Sequence, residues 1–199
     1  MRPSFIIVDN FLEDPHALRN AALNQQFPKP KTPLAYPGRD SERRQAIDGF
    51  DKRISDILGH RVEPAPMASH CRFRLALEGD KGTESVHIDP VNWTVLLYLT
   101  LPEHCQDGTH LFRHKGTESD HAPYSASEMA QMGFSSEDDF MRNLLAKDTN
   151  DMEAWEHLTT IPMRFNRLLI LEPQQYHDAG LSFGSSAEDG RLIYIATYY

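Results

Sequence analysis

The spacing of apolar positions divides the chain into strands and helices with little ambiguity at either end. Phe5, Ile6, Ile7 and Val8 form a short strand run closed by Asp9-Asn10. Asp14 and Pro15 then open a helix, Asp as N-cap and Pro at the first helical position, with Ala17, Leu18, Ala21 and Ala22 on one face. Pro28-Lys29-Pro30 stops it, and the Pro-rich stretch to about Gln45 reads as an irregular loop. Ile47, Phe50, Ile54, Ile57 and Leu58 recur at helical spacing and predict a second amphipathic helix ending near Gly59. Residues 67–77 alternate as a strand, with Cys71, Phe73, Leu75 and Leu77 on one face and Arg72 and Arg74 on the other, a face expected to meet solvent or, for one arginine, a substrate pocket.

The second half continues with strands interrupted once. Trp93, Val95, Leu97, Leu99 and Leu101 alternate with Thr94, Leu96, Tyr98 and Thr100, so both faces are largely apolar, as in a strand buried inside a sandwich or barrel. Asp107-Gly108-Thr109 turns into a strand over 111–113. From about 125 to 158 two or three short helices are predicted, with capping boxes at Ser125/Glu128 and Ser135/Asp138 and helix-spaced Phe140, Leu144, Leu145, Met152 and Trp155. Met129, Met132, Met141 and Met152 make this insert either a fixed core layer or a lid. Residues 161–171 read as one strand, 172–180 as a loop and 191–199 as a terminal strand. The pattern therefore predicts one domain over 1–199, mainly β with flanking helices and a helical insert at about 125–158.

Composition narrows the class. A chain of 199 residues can bury a sizeable core, and 40% apolar with 25% charged residues is ordinary for a globular protein. The formal net charge of −9 argues against a duplex nucleic-acid partner, which needs clustered Lys and Arg. Cys71 and Cys105 are too few for a disulfide framework and lack zinc-type spacing. After Arg2 the apolar run at Phe5 is too short for a signal peptide, and no run approaches a membrane span, so a cytoplasmic protein without membrane contact is expected.

Candidate chemistry centres on Ser85-Val86-His87-Ile88-Asp89-Pro90. Residues two apart in an extended chain project to one side, so His87 and Asp89 make half of a 2-His-1-carboxylate site, which suits non-haem Fe(II). His177, just beyond the buried run 168–171, is placed to supply the second imidazole. Arg191 opens the last strand on the same face as Ile193 and Ile195; if that face is internal, its guanidinium needs an anionic partner, either a ligand carboxylate or a structural Asp or Glu. His104, His110, His114 and His121 match no closed zinc site, though His110 and His114 are candidates to line the mouth of an active site.

Taken in order, these features resemble the Fe(II)/2-oxoglutarate-dependent oxygenases, and within them the prolyl 4-hydroxylase-like branch. The likeness rests on His87 and Asp89 before a core strand, Gly108 to Phe112 as a Gly turn into a strand, and a late strand leading to His177. Arg191, ahead of alternating apolar and aromatic residues, completes it. The resemblance implies a double-stranded β-helix, the jelly-roll core that cupins share, with His87, Asp89 and His177 as iron ligands. It implies Arg191, and Tyr98 beside it, as the groups that hold the distal carboxylate of 2-oxoglutarate. The implied reaction couples decarboxylation of the keto acid by molecular oxygen to hydroxylation of a C–H bond in a peptide, amino acid or other small molecule. Two departures stand out: the gap from His87 to His177 is 177 − 87 = 90 residues, and a Gly-Gly turn is replaced by Gly108-Thr109. A non-catalytic barrel that senses a metabolite or metal is the main alternative. A cupin-like isomerase or metal hydrolase is a further one, which leaves Arg191 without a purpose.

Overall fold

The computed structural model describes residues 4–199, so Arg2 lies outside it. The first half contains β1 (Phe5–Val8), α1 (Pro15–Leu23), β2 (Arg39–Asp40), α2 (Phe50–Leu58), β3 (Arg72–Ala76) and β4 (Trp93–Tyr98). The second contains β5 (Gly108–His114), α3 (Ala126–Gln131), α4 (Glu137–Phe140), α5 (Ala146–Asp148), β6 (Trp155–Pro162), β7 (Leu168–Leu171), β8 (His177–Asp178) and β9 (Arg191–Tyr198). Every strand pairing is antiparallel. A six-stranded sheet runs β1-β7-β4-β9-β3-β2 and a three-stranded sheet runs β6-β5-β8.

Strand β4 shows how the alternation builds layers. Trp93, Val95 and Leu97 enter a core with Leu18 and Ala22 of α1 and Phe50 and Ile54 of α2. Tyr98, from the opposite face, joins Ile193 and Ile195 of β9 and Leu111 and Ile161 of the small sheet. The outer side of the small sheet carries a third core, in which Phe112, Trp155 and Tyr176 meet Phe140, Leu144 and Leu145 of the insert. The order through the molecule is thus helices, large sheet, small sheet, insert.

Several sequence expectations are corrected here. Residues 161–171 are not one strand: β6 ends at Pro162, which has no N–H to continue a ladder, and the chain turns at Asn166 (φ 62°) before β7 begins in the other sheet. Trp155 starts β6 rather than ending a helix, because the insert's helical part stops at Ala154. The second insert cap is Ser136, whose side chain accepts from the Asp139 amide, one residue later than Ser135/Asp138; Asp14 and Ser125 cap as expected. The Pro-rich loop contains β2, and strand 67–77 is regular only over β3. Among the described residues no helix is long and apolar enough to cross a membrane.

Candidate metal centre

His87 and Asp89 do project together, but not from a regular strand. A single antiparallel bridge joins His87 to His177: the His87 amide donates to the His177 carbonyl at 2.9 Å and the His177 amide returns the bond at 3.1 Å. His177 is not in a loop but in β8, held against Leu111 of β5. The two rings lie 4.3 Å apart between centroids. Each donates its Nδ1–H to the carbonyl two residues back, His87 to Ser85 at 2.8 Å and His177 to Gln175 at 2.7 Å. A carbonyl only accepts, so this bond fixes the tautomer and leaves Nε2 of each ring for the site.

Asp89 closes the triangle. Its Oδ2 lies 3.5 Å from His177 Nε2 and accepts from the Thr94 hydroxyl at 2.6 Å. One donor atom from each of His87, Asp89 and His177 falls within 4.8 Å of the others, a spacing that one ion can bridge. Burial, reinforced by the neighbouring His177, pushes His87 down to about 4. Burial alone would raise the Asp89 carboxyl, but the hydrogen bond and charge of His177 outweigh it and hold Asp89 below the usual carboxylate range. Burial likewise opposes protonation of His177, and Asp89 reverses the sign, raising it. Asp89 and His177 thus favour each other's charged forms, while burial favours the neutral form of His87.

These residues line a cavity of about 170 Å³ between the two sheets. Thr94, Leu96, Ile193, Ile195 and Thr197 form its large-sheet wall, since β4 and β9 pair Thr94 with Thr197, Leu96 with Ile195 and Tyr98 with Ile193. Arg191 shares that wall, is 3% exposed, and has an Nη2 without a hydrogen-bond partner. A buried guanidinium left in this state costs free energy that an anionic ligand would recover. Tyr98 sits one layer behind: its hydroxyl shares a 2.7 Å hydrogen bond with that of Thr109, and it is Thr109 that reaches the cavity.

Other candidates fall elsewhere. His110 lies between Asp178 (3.0 Å) and Asp107 (2.7 Å), and His114 is buried against Asp148 at 3.1 Å, so neither lines the cavity. His104 sits in the turn after β4, and His121 is held by Asp120 and Glu128. No described residue of the 125–158 insert lines the cavity either. The insert is a layer behind the small sheet, and the cavity is flanked instead by loop residues Tyr36, Met67, Ala68 and Ser69.

Of two further cavity residues, Arg74 takes the pocket place expected for one of the strand arginines, and Tyr36 was not singled out by the sequence. Arg74 does not face solvent: it is 9% exposed, and its Nε donates to Asp40 at 2.7 Å while Nη2 donates to Ser69 at 3.0 Å. Arg72, by contrast, turns back onto the Ser41 and Glu42 carbonyls. Tyr36 stacks on His87 and reaches Asp89, and its only sequence signal was an aromatic residue alone in a Pro-rich loop. Burial and the nearby Asp89 carboxylate keep its phenol protonated.

The chain belongs to a family of unknown function, DUF6445, whose model matches residues 2–194. No curated protein matches it. Among solved structures it is similar to a prolyl hydroxylase from Trichoplax adhaerens in complex with a hypoxia-inducible-factor oxygen-degradation-domain peptide. That match has 15% identity and a TM-score of 0.49, covering 98% of this chain and 83% of the other. It is also similar to the Fe(II)/α-ketoglutarate-dependent dioxygenase TqaL, at 11% identity and a TM-score of 0.44, covering 98% and 82%.

Proposed function

We propose that this chain is an Fe(II)- and 2-oxoglutarate-dependent dioxygenase that hydroxylates a C–H bond of an amino-acid, peptide or other small-molecule substrate. The observation that carries the reading is co-location: a His-Asp-His donor set and a buried guanidinium with an unpaired nitrogen line one cavity. The two facing antiparallel sheets support reading the core as a double-stranded β-helix, and the order of motifs supports the prolyl 4-hydroxylase-like branch.

The residues fit the metal. Two imidazole Nε2 atoms and one carboxylate make the donor set that suits Fe(II) with positions left open for a keto acid and oxygen. When bound, the iron supplies the redox chemistry that couples decarboxylation of 2-oxoglutarate to hydroxylation. The chain's own share is orientation and exclusion. The Ser85 and Gln175 carbonyls hold both rings in the ligating tautomer, and Thr94 holds the carboxylate. Arg191, with the Thr109 hydroxyl that Tyr98 steadies, would take the distal carboxylate of the keto acid. Leu96, Leu171, Ile193 and Ile195 keep the space between apolar.

The test is succinate release from 2-oxoglutarate that requires both Fe(II) and oxygen, paired with anaerobic Fe(II) titration. One ion per chain and iron-dependent succinate formation are expected. Keto acid bound but never decarboxylated across a broad set of substrates would make the chain a metabolite-binding barrel instead, and absence of keto-acid binding would remove the cofactor assignment.

A further inference from the structure

The stretch over residues 34–38, outwardly part of an irregular loop, is tied to the ligand-bearing segment at two levels. The Thr83 and Glu84 amides donate to the Leu34 and Ala35 carbonyls at 3.0 and 2.9 Å, three to four residues before His87. The approach is so close that a Cβ on Gly82 would lie 2.1 Å from the Ala35 carbonyl oxygen. Beyond this pairing Tyr36 turns inward. Its ring stacks on His87 with centroids 3.9 Å apart and planes 26° apart, and its hydroxyl donates to Asp89 Oδ1 at 3.2 Å.

We propose that Tyr36 is a positioning residue that couples the seating of residues 34–38 beside the cavity to metal binding at His87, Asp89 and His177. The proposal rests on the metal-centre reading above. Asp89 has one hydroxyl on each oxygen, Thr94 on Oδ2 and Tyr36 on Oδ1. A carboxylate has about four lone-pair sites, so both hydroxyls can stay while one lone pair takes an ion, and together they stop the group from rotating. The stacked ring restrains His87 in the same way. One side chain therefore touches two of the three donors, and it belongs to the segment that flanks the cavity. Coupling of this kind is reciprocal: if the seated segment favours the metal, the metal favours the seated segment by the same factor.

The full chain, titrated with Mn(II) as a redox-silent probe, tests this by calorimetry and by hydrogen exchange at residues 34–38. In the wild type, Mn(II) should slow exchange there by about tenfold, the scale on which outer partners act on a metal site. Tyr36→Phe keeps the ring and loses the hydroxyl; it should bind Mn(II) about tenfold more weakly and lose part of the metal-dependent protection. Tyr36→Leu loses both contacts and should be weaker again. If Tyr36→Leu fails to fold, Tyr36→Phe alone carries the test, because a side chain that only fills space leaves the Phe variant like the wild type. Wild-type Mn(II) affinity and unchanged protection in Tyr36→Phe overturn the coupling. His177→Ala separates the failures: if it loses Mn(II) while Tyr36→Phe behaves as wild type, only the coupling falls. If His177→Ala keeps Mn(II), the metal centre falls and the coupling with it.

Discussion

Histidine–aspartate contacts of two kinds occur around the small sheet, and the same residue types do different things in them. In the cavity, each imidazole has one nitrogen on a backbone carbonyl and the other turned towards Asp89 and its neighbour. In His110 and His114, which do not line the cavity, both nitrogens are spoken for: His110 lies between Asp178 and Asp107, and His114 between Thr117 and Asp148. Burial and a neighbouring imidazole push His87 down to about 4, whereas aspartate partners raise two other rings, Asp89 raising His177 against burial and Asp178, helped by Asp107, lifting His110 to about 9. What separates a candidate ligand from a structural histidine here is the destination of its second nitrogen.

Breaking one group should therefore cost metal, and breaking the other should cost stability. The largest effect is expected for His177→Ala, which should weaken Fe(II) or Mn(II) binding by more than the ~10–100-fold that outer partners command. His110→Gln and His114→Gln should leave calorimetric metal affinity at the wild-type value, and a comparable loss in either would erase the distinction. Next comes Arg191, whose planar fork lysine does not reproduce. Both Arg191→Ala and Arg191→Lys should raise the 2-oxoglutarate Kd by more than about tenfold with Mn(II) still bound. A variant that unfolds without any change in keto-acid affinity would make Arg191 a structural residue.

Smaller effects sharpen the structural side. His114→Ala leaves the buried Asp148 carboxylate with only the exposed Lys147 at 3.4 Å and should lower unfolding free energy in urea by roughly 1–3 kcal/mol, with metal affinity intact. The smallest is a pH slope. His110 has its proton affinity raised from 6.5 to about 9 in the folded chain, so its contribution is fully present below the unfolded value and is lost as pH rises through the folded one. Stability should fall between about pH 6.5 and 9 more steeply in the wild type than in His110→Gln. Parallel profiles would show that the ring carries no extra proton.

The parts legible in the sequence were those written in local spacing. The i, i+2 relation placed His87 beside Asp89 even without a regular strand, and alternation in β9 placed Arg191 on an inner face. The segment 161–171 shows where spacing misleads: its apolar alternation runs on across Pro162 and Asn166, and only those two residues mark the change of sheet. Phe140, Leu144 and Leu145 announce a buried helical face but not which layer it covers, so the insert's place behind the small sheet was not readable. The partners of Tyr36 and Arg74 lay further out of reach. Tyr36 meets Asp89 across 53 positions and Arg74 meets Asp40 across 34, and no local periodicity encodes such pairings.

The reciprocal backbone bonds between His87 and His177 act as a buckle. Ninety positions separate the two residues (177 − 87), yet two amide–carbonyl pairs join them directly, and the chain in between adds ties of its own at Leu111–His177 and Val86–Thr149. Loop-closure entropy grows only with the logarithm of length, about 0.6 kcal/mol per doubling. Loops within the span can therefore lengthen at little cost to the alignment of the two rings, provided Leu111 and Thr149 keep their places beside them. Such a site would accept a longer loop within the strap and still fasten in the same place.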